Sequence, residues 1–277
     1  MVSKKKIREN LILYNQINKI DERFINKIIC GDAVKTLQSL PDNSVDIIIT
    51  SPPYNFEMEY DNYHDKKGWE KYFSLLNDVW KECYRVLKHG GRICVNVQPL
   101  FSEYIPTHHL ISKQLLDLGF LWKSEILWDK HNYNAKFTAW GSWRSASMPY
   151  LKYTWEFIEV FSKGSQKKEK LNGEQNDITA DEFKKWVNAK WDIAPERNMK
   201  EYEHPAMFPE ELPRRLIKLF SFVDDIVLDP FNGAGTTTTM AKSLGRRYIG
   251  IDVSPKYCKY ARERLKTVNK KLIEYQH

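Results

Sequence analysis

The stretch "DIIITSPPYN" sets Ser51, Pro52, Pro53 and Tyr54 directly behind an apolar run. Proline has no amide hydrogen, so Pro52 and Pro53 must end a strand, and their fixed φ angles hold the chain extended. Ser51 Oγ and the Pro52 carbonyl are then presented as two acceptors in a fixed geometry, with the Tyr54 ring beside them. Such a set suits a planar heterocycle that carries an amino group: the N–H bonds go to the acceptors and the ring stacks on tyrosine. The amino nitrogen of a heterocycle is a poor nucleophile because its lone pair is delocalised. Accepting both hydrogens favours pyramidalisation and aims the lone pair at an incoming carbon. Catalysis of this kind rests on alignment and a fixed electrostatic environment, without a covalent enzyme intermediate. A proline-rich docking peptide or a strand stop without chemistry are the bland readings. The first needs a spacer before the tyrosine and an exposed segment.

A second constellation lies far along the chain, in "DIVLDPFNGAGTT". Asp229 stands at the carboxyl end of a short apolar run. Gly233 and Gly235 allow a tight turn and close approach of a ligand to the backbone, and the amides that open the next helix face that ligand. The following run, "RYIGID", delivers Asp252 to its own end, where a carboxylate accepts hydrogen bonds from both hydroxyls of a ribose. Two glycines alone fit an ordinary tight turn equally well, and the three-glycine dinucleotide fingerprint is absent. Strand, turn, helix and acidic strand end in this order favour a nucleoside-bearing cofactor. Asp229 suits a positively charged or amine-bearing ligand better than a pyrophosphate.

The elements that must position these residues alternate from residue 28 onward, which predicts an α/β sheet. "KIIC", "VDIIIT" and "RICVNV" read as strands. "WEKYFSLLNDVWKECYRVLK" carries apolar residues at three- and four-residue spacing and is predicted to be an amphipathic helix closed by Gly90-Gly91. "LWKSEILWDK" and "WEFIEVFSK" read as an antiparallel pair. A polar, charged segment then reads as an insertion outside the sheet, before "PEELPRRLIKLFS", "DIVLDP", the glycine turn, "RRYIGIDVS" and a last helix to about Thr267. The organisation expected is a basic N-terminal arm (1–25), a catalytic half (26–163), an insertion (164–200), a cofactor-binding half of the same domain (201–268) and a tail (269–277). Ligands of open parallel sheets bind beyond the carboxyl strand ends, where strand order reverses, so both constellations are expected above one edge.

The chain of 277 residues is long enough for one substantial core, with 42% hydrophobic and 13% aromatic residues. Its formal charge of +7 favours a polyanionic partner. No apolar run approaches a bilayer span, and the basic start "MVSKKKIREN" is not followed by a signal-peptide core. A cytoplasmic protein with no membrane partner is expected. Cys30, Cys83, Cys94 and Cys258 are scattered, with no pair at metal-ligand spacing, so reduced structural thiols and no metal are expected.

In their joint order these motifs resemble the amino-methyltransferases of DNA restriction–modification systems, in the permuted β order where the catalytic motif precedes the cofactor motif. "TSPPYN" resembles the catalytic motif and "DPFNGAGTT" the S-adenosylmethionine motif. "GDA" at Gly31–Ala33, "HPAMFPEELPRRLI" from His204, and "GIDVS" resemble accompanying cofactor segments, and "WGSWRSASMPYLKYTWEFIEVFSK" the segment that follows the catalytic half in relatives with the serine form. The resemblance covers about residues 26 to 268. It implies a Rossmann-like, S-adenosylmethionine-dependent methyltransferase fold: a mostly parallel twisted sheet with an antiparallel strand pair and a small insertion. It further implies Asp32 near the cofactor adenine, Asp252 on the ribose, and Phe231, Gly233, Gly235 and Thr236 along the methionine and turn region. His204, Pro205 and Phe208 would pack around the cofactor, although His204 could equally cap a helix.

Relatives with serine before the two prolines mostly modify cytosine N4, and those with Asp or Asn usually adenine N6. The expected activity is therefore site-specific methylation of cytosine N4 in double-stranded DNA, with adenine N6 as the alternative. Methylation of RNA or of a protein amide, and a non-catalytic nucleic-acid-binding module, are more distant readings. The carbon-5 cytosine mechanism needs a cysteine nucleophile, usually preceded by proline, and no cysteine here follows one. A cognate restriction endonuclease acting separately and a homodimer are open as partners.

Five of the nine tryptophans fall between residues 122 and 155. Basic residues are interleaved with them, so Lys130, Lys136, Trp140, Trp143, Arg144 and Lys152 are candidate DNA contacts. At least half of these rings are expected in the core. The 164–200 segment is the candidate for recognition of the target sequence, with a solvated loop as the alternative.

Overall fold

The computed structural model describes residues 18–53, 59–60, 63–64, 68–99, 105–131, 141–149, 151, 153–170, 173–196 and 207–274. In chain order these form Lys27–Cys30 (β1), Ala33–Gln38 (α1), Val45–Thr50 (β2), Glu59–Tyr60 (β3), Tyr63–His64 (β4), Trp69–Val86 (α2), Leu87–Val97 (β5), Thr107–Asp117 (α3) and Phe120–Asp129 (β6). There follow Trp155–Lys163 (β7), Ala180–Trp186 (α4), Lys190–Asp192 (β8), Glu211–Phe220 (α5), Ile226–Asp229 (β9), Thr236–Ser243 (α6), Arg247–Asp252 (β10) and Pro255–Glu274 (α7). The small β3–β4 hairpin stands apart from the main sheet.

Eight strands pair in the order β1-β10-β9-β2-β5-β7-β6-β8. β7 runs antiparallel to both its neighbours, and the other pairings are parallel. The mostly parallel sheet and the antiparallel β6–β7 pair are as expected. From β2 the chain winds one way to β5, and from β9 it winds the other way to β10. The reversal therefore falls between β9 and β2, the crevice where such sheets bind ligands.

Every residue of β2 is buried, as a strand covered on both faces must be. Ile48, Val95 and Leu228 pack with α1, α2 and α3 on one face. Ile47, Ile49, Cys94 and Val227 pack with α5, α6 and α7 on the other. Three of the four cysteines lie inside these cores and Cys30 is exposed; all four are free thiols.

Four local expectations change. Helix α2 ends at Val86 and β5 starts at once, so Gly90 and Gly91 lie inside the strand instead of capping the helix. A Cβ at Gly91 would come within 2.9 Å of the Asp46 carbonyl, so the glycine serves a close strand approach beside an irregularity between Val45 and Ile47. The 164–200 segment is not outside the sheet: β8 adds an edge strand, Trp191 is 1% exposed, and its indole donates to the Trp186 carbonyl at 3.0 Å. Lys168 is paired with Asp46 and Asp225, and Arg246 grips Asp177 at 2.6 and 2.8 Å, binding the segment to the core. Ile20 and Ile25, within the expected arm, are buried, and α7 continues to Glu274, past its expected end.

A buried carboxyl facing an exposed one sets a pH dependence. Glu125 on β6 and Glu159 on β7 are register partners, and Glu159 is 2% exposed. Burial, then hydrogen bonding to and repulsion by Glu125, pushes Glu159 up to about 8. A carboxyl raised in the folded state contributes stability that is complete below its ordinary range and lost as pH rises towards about 8. Glu159→Gln should flatten that decline, which denaturant titrations at several pH values would read directly. An unchanged slope would exclude the pair as its source.

Candidate active site

The two constellations meet. β2 and β9 are parallel neighbours, with Ile48 opposite Leu228, so their carboxyl ends emerge side by side. There the Thr50 hydroxyl donates to Asp229 Oδ1 at 2.7 Å, and the Phe231 amide donates to the same oxygen at 3.0 Å. One carboxylate thus ties the root of the Ser51–Pro53 strut to the root of the glycine turn. Asp229 is 2% exposed. Burial pushes it up to about 6, against hydrogen bonds from Thr50, Thr237 and Phe231 that favour the ionised form.

The strut itself is held from behind. Ser51 is half-buried, Pro52 buried and Pro53 half-buried. Tyr72, on the first turns of α2, donates its hydroxyl to the Pro53 carbonyl at 2.8 Å. Trp69 meets Tyr72 edge-on at 5.6 Å and Phe73 packs against both, making an aromatic brace. Tyr54 lies outside the described residues.

On the cofactor side, Asp252 accepts the Gly233 amide at 2.7 Å and the Ser254 amide at 2.9 Å, one on each oxygen. Each oxygen keeps a further lone pair for a ligand hydroxyl. Burial raises this carboxyl above its ordinary value. Gly233 and Gly235 have φ of 49° and 85°, and a Cβ at Gly235 would lie 2.7 Å from that of Ala261. Only glycine fits a left-handed turn packed this closely. Gly31, at the end of β1, donates to the Asp252 carbonyl at 2.9 Å. That contact brings exposed Asp32, the cap of α1, beside the ribose candidate. Phe231 is half-buried, edge-on to the buried Trp80 at 6.2 Å. Phe208 is half-buried against the second core. His204 and Pro205 fall outside the described residues.

Several supporting residues had no signal in the sequence. Arg264 of α7 donates to the Ala234 carbonyl at 3.0 Å and the Thr236 hydroxyl at 3.1 Å, with Glu210 at 2.8 Å behind it, so the turn is gripped from a distant helix. Asn232 takes the Thr238 hydroxyl at 2.9 Å and braces the turn from within. Tyr72 was legible only as an apolar position of its helix.

The DNA candidates separate. Lys130 points inward, paired with buried Glu156 and 5.1 Å over the Trp128 ring, and Glu156 also accepts Asn96 at 2.6 Å. Trp143 and Arg144 are exposed, whereas Lys136, Trp140 and Lys152 lie outside the described residues. Of the clustered rings, Trp128 is buried, Trp155 half-buried, and Trp122 and Trp143 exposed.

The donor set fits a cationic nucleoside. Two carboxylates, Asp229 and Asp252, flank the turn, and the Arg264 guanidinium that grips it is paired with Glu210, which opposes a pyrophosphate and favours positive charge. Among the described residues no helix is long and apolar enough to cross a membrane.

Comparison with known proteins places the chain in a family. The type II methyltransferase M.MjaI of Methanocaldococcus jannaschii is 33% identical over 271 residues, covering 84% of this chain and 89% of its own. The DNA adenine methyltransferase YhdJ of Escherichia coli is 33% identical over 248 residues, covering 86% of this chain and 82% of its own. TTHA0409 of Thermus thermophilus, solved in complex with S-adenosyl-L-methionine, superposes with a TM-score of 0.69 at 29% identity, covering 88% of this chain and 95% of its own. Residues 45–263, which hold both constellations and the strands between them, match the N6/N4 DNA methylase family, and the chain belongs to it.

Proposed function

We propose that this DNA methyltransferase transfers a methyl group from S-adenosylmethionine to the exocyclic N4 of a cytosine extruded from double-stranded DNA. The observation that carries the reading is the shared carboxylate of Asp229, which sets the strut of Ser51–Pro53 and the glycine turn above one crevice. S-adenosylmethionine bound at the turn would supply an electrophilic methyl group on a sulfonium. Asp252 and the amides around Gly233 would hold it, and Asp32, Phe231, Gly235, Thr236 and Phe208, with His204 and Pro205, would complete its surroundings. Ser51 Oγ and the Pro52 carbonyl accept the two amino hydrogens, and Tyr54 stacks on the base. Tyr72 keeps the strut from yielding as the amine pyramidalises. The neutral hydroxyl of Ser51, in place of a carboxylate, supports cytosine. YhdJ, whose name states adenine, makes adenine N6 the second reading.

Residues 164–200 are our proposed reader of the DNA word, through the exposed Phe183, Lys184 and Val187 at and beside α4. The type II relatives support a place in a restriction–modification pair, with a separately acting endonuclease and a homodimer as further partners. The test is direct: incubate protein, labelled cofactor and unmodified genomic DNA, then digest and sequence. N4-methylcytosine at one word is expected. N6-methyladenine alone would move the assignment to the second base.

The cofactor assignment has its own prediction. Asp252→Ala removes charge-assisted hydrogen bonds and should weaken S-adenosylmethionine binding by roughly 10–100-fold. Turnover at saturating cofactor should change far less. Calorimetric titration beside saturation kinetics separates the two, and unaltered affinity would remove Asp252 from the ribose.

A further inference from the structure

The connection from β6 to β7 leaves the sheet at Asp129 and returns at Trp155. It therefore rises from the edge at which Thr50 and Asp229 end. Between Lys130 and Trp155 the sequence contains no aspartate or glutamate, and beyond Lys130, which Glu156 claims, it holds Lys136, Arg144 and Lys152. Within it, Gly141 bridges to Pro149 and encloses a short loop. The loop is braced by its own polar groups. Ser142 donates its amide to the Met148 carbonyl at 2.9 Å and its hydroxyl to the Ser145 carbonyl at 2.9 Å, and accepts the Met148 amide on that hydroxyl at 2.8 Å. Ser145 and Ser147 hydroxyls meet at 3.0 Å.

Large apolar side chains in this loop and just past it are exposed. Trp143 is 69% exposed and Met148 51%, with Leu151 just beyond the bridge at 77%. Singly exposed apolar residues are ordinary on a protein surface, but a cluster about one fastened loop marks a contact. Arg144, next to the ring, is held at a φ of 53°. Arginine rarely adopts that conformation without surrounding constraint. A rigid aromatic tip beside a guanidinium, on a connection without carboxylates, is complementary to a stack of bases inside a phosphate backbone.

We propose that the Gly141–Pro149 loop is a wedge that enters the DNA stack beside the target, with Trp143 filling the space that the extruded base leaves and Arg144 on a flanking phosphate. This rests on the reading of the protein as a methyltransferase of duplex DNA and adds the residue that holds the opened duplex. The energetic role is specific. Extrusion costs unpairing and unstacking, and a ring that replaces the lost stacking lowers that cost.

The test uses the full chain and two duplexes carrying the word found by sequencing: one fully paired, the other with the target base facing an abasic site. Trp143→Ala should transfer methyl groups roughly 10–100-fold more slowly on the paired duplex. It should return to near wild-type rates on the second, where no pair must be broken. Trp143→Phe should restore most of the rate on paired DNA, and cofactor binding should be the same in all three proteins. An equal loss on both duplexes, or no loss on either, would overturn the wedge. A wild-type protein inactive on both would overturn the DNA reading, and the wedge with it.

Discussion

Asp229→Ala is expected to lower both stability and methyl transfer. Its carboxylate holds the Thr50 hydroxyl and the Phe231 amide on one oxygen, at 2.7 and 3.0 Å. Removing it leaves the buried Thr50 hydroxyl without its acceptor, at about 1–3 kcal/mol, and the part-buried Phe231 amide at less. It also frees the strut and the glycine turn to drift apart. A displacement of about 1 Å between reacting groups costs on the order of a hundredfold in rate, so methyl transfer should fall by about that factor or more, together with a lower melting temperature. Asp229→Asn keeps an acceptor oxygen at the same place and should lose much less of both. Calorimetric melting beside single-turnover transfer would check this. A folded Asp229→Ala protein with near-normal transfer would mean that the two constellations do not depend on their shared carboxylate.

Tyr54→Ala and Ser51→Ala should act on a different step. Each removes one element that holds the base amine, a stacking face or an acceptor, and loss of one such preorganised group costs on the order of 10²–10³ in turnover. Cofactor affinity should hardly move, because Asp252 and the turn are untouched. The contrast with Asp252→Ala is the sharper test: one set of variants loses turnover at full cofactor occupancy, the other loses occupancy. Parallel losses of cofactor affinity in Tyr54→Ala would place the ring in the cofactor site instead.

Much of this site is legible in the sequence because its positions are marked by chemical necessity. Two prolines must stop β2, a glycine must open α6, and an acid must end β10. Each stop falls at a carboxyl strand end, where a doubly wound sheet binds its ligands. What escapes is whatever depends on distant partners. The short strand Lys190–Asp192 has a single apolar residue between two charged ones, so nothing local marks it, and only pairing with β6 makes it a strand. Gly90-Gly91 reads as a helix stop because glycine usually is one; the close approach of β2 decides otherwise. Arg264 looks like any charged helix residue until α7 packs over the glycine turn. Lys130 shows the converse: a basic residue among aromatics reads as a phosphate contact, yet a buried carboxylate on the next strand claims it.

The strand order has a consequence for how the protein is made. β9 and β10, encoded near the end of the chain, lie between β1 and β2, and β10 is the strand beside β1. A nascent chain emerging from the ribosome can assemble β2, β5, β6 and β7, but β1 waits without a sheet neighbour until β10 has emerged. The sheet closes only once β9 and β10 have been made, so a product terminated before Ile226 lacks the cofactor side of the crevice.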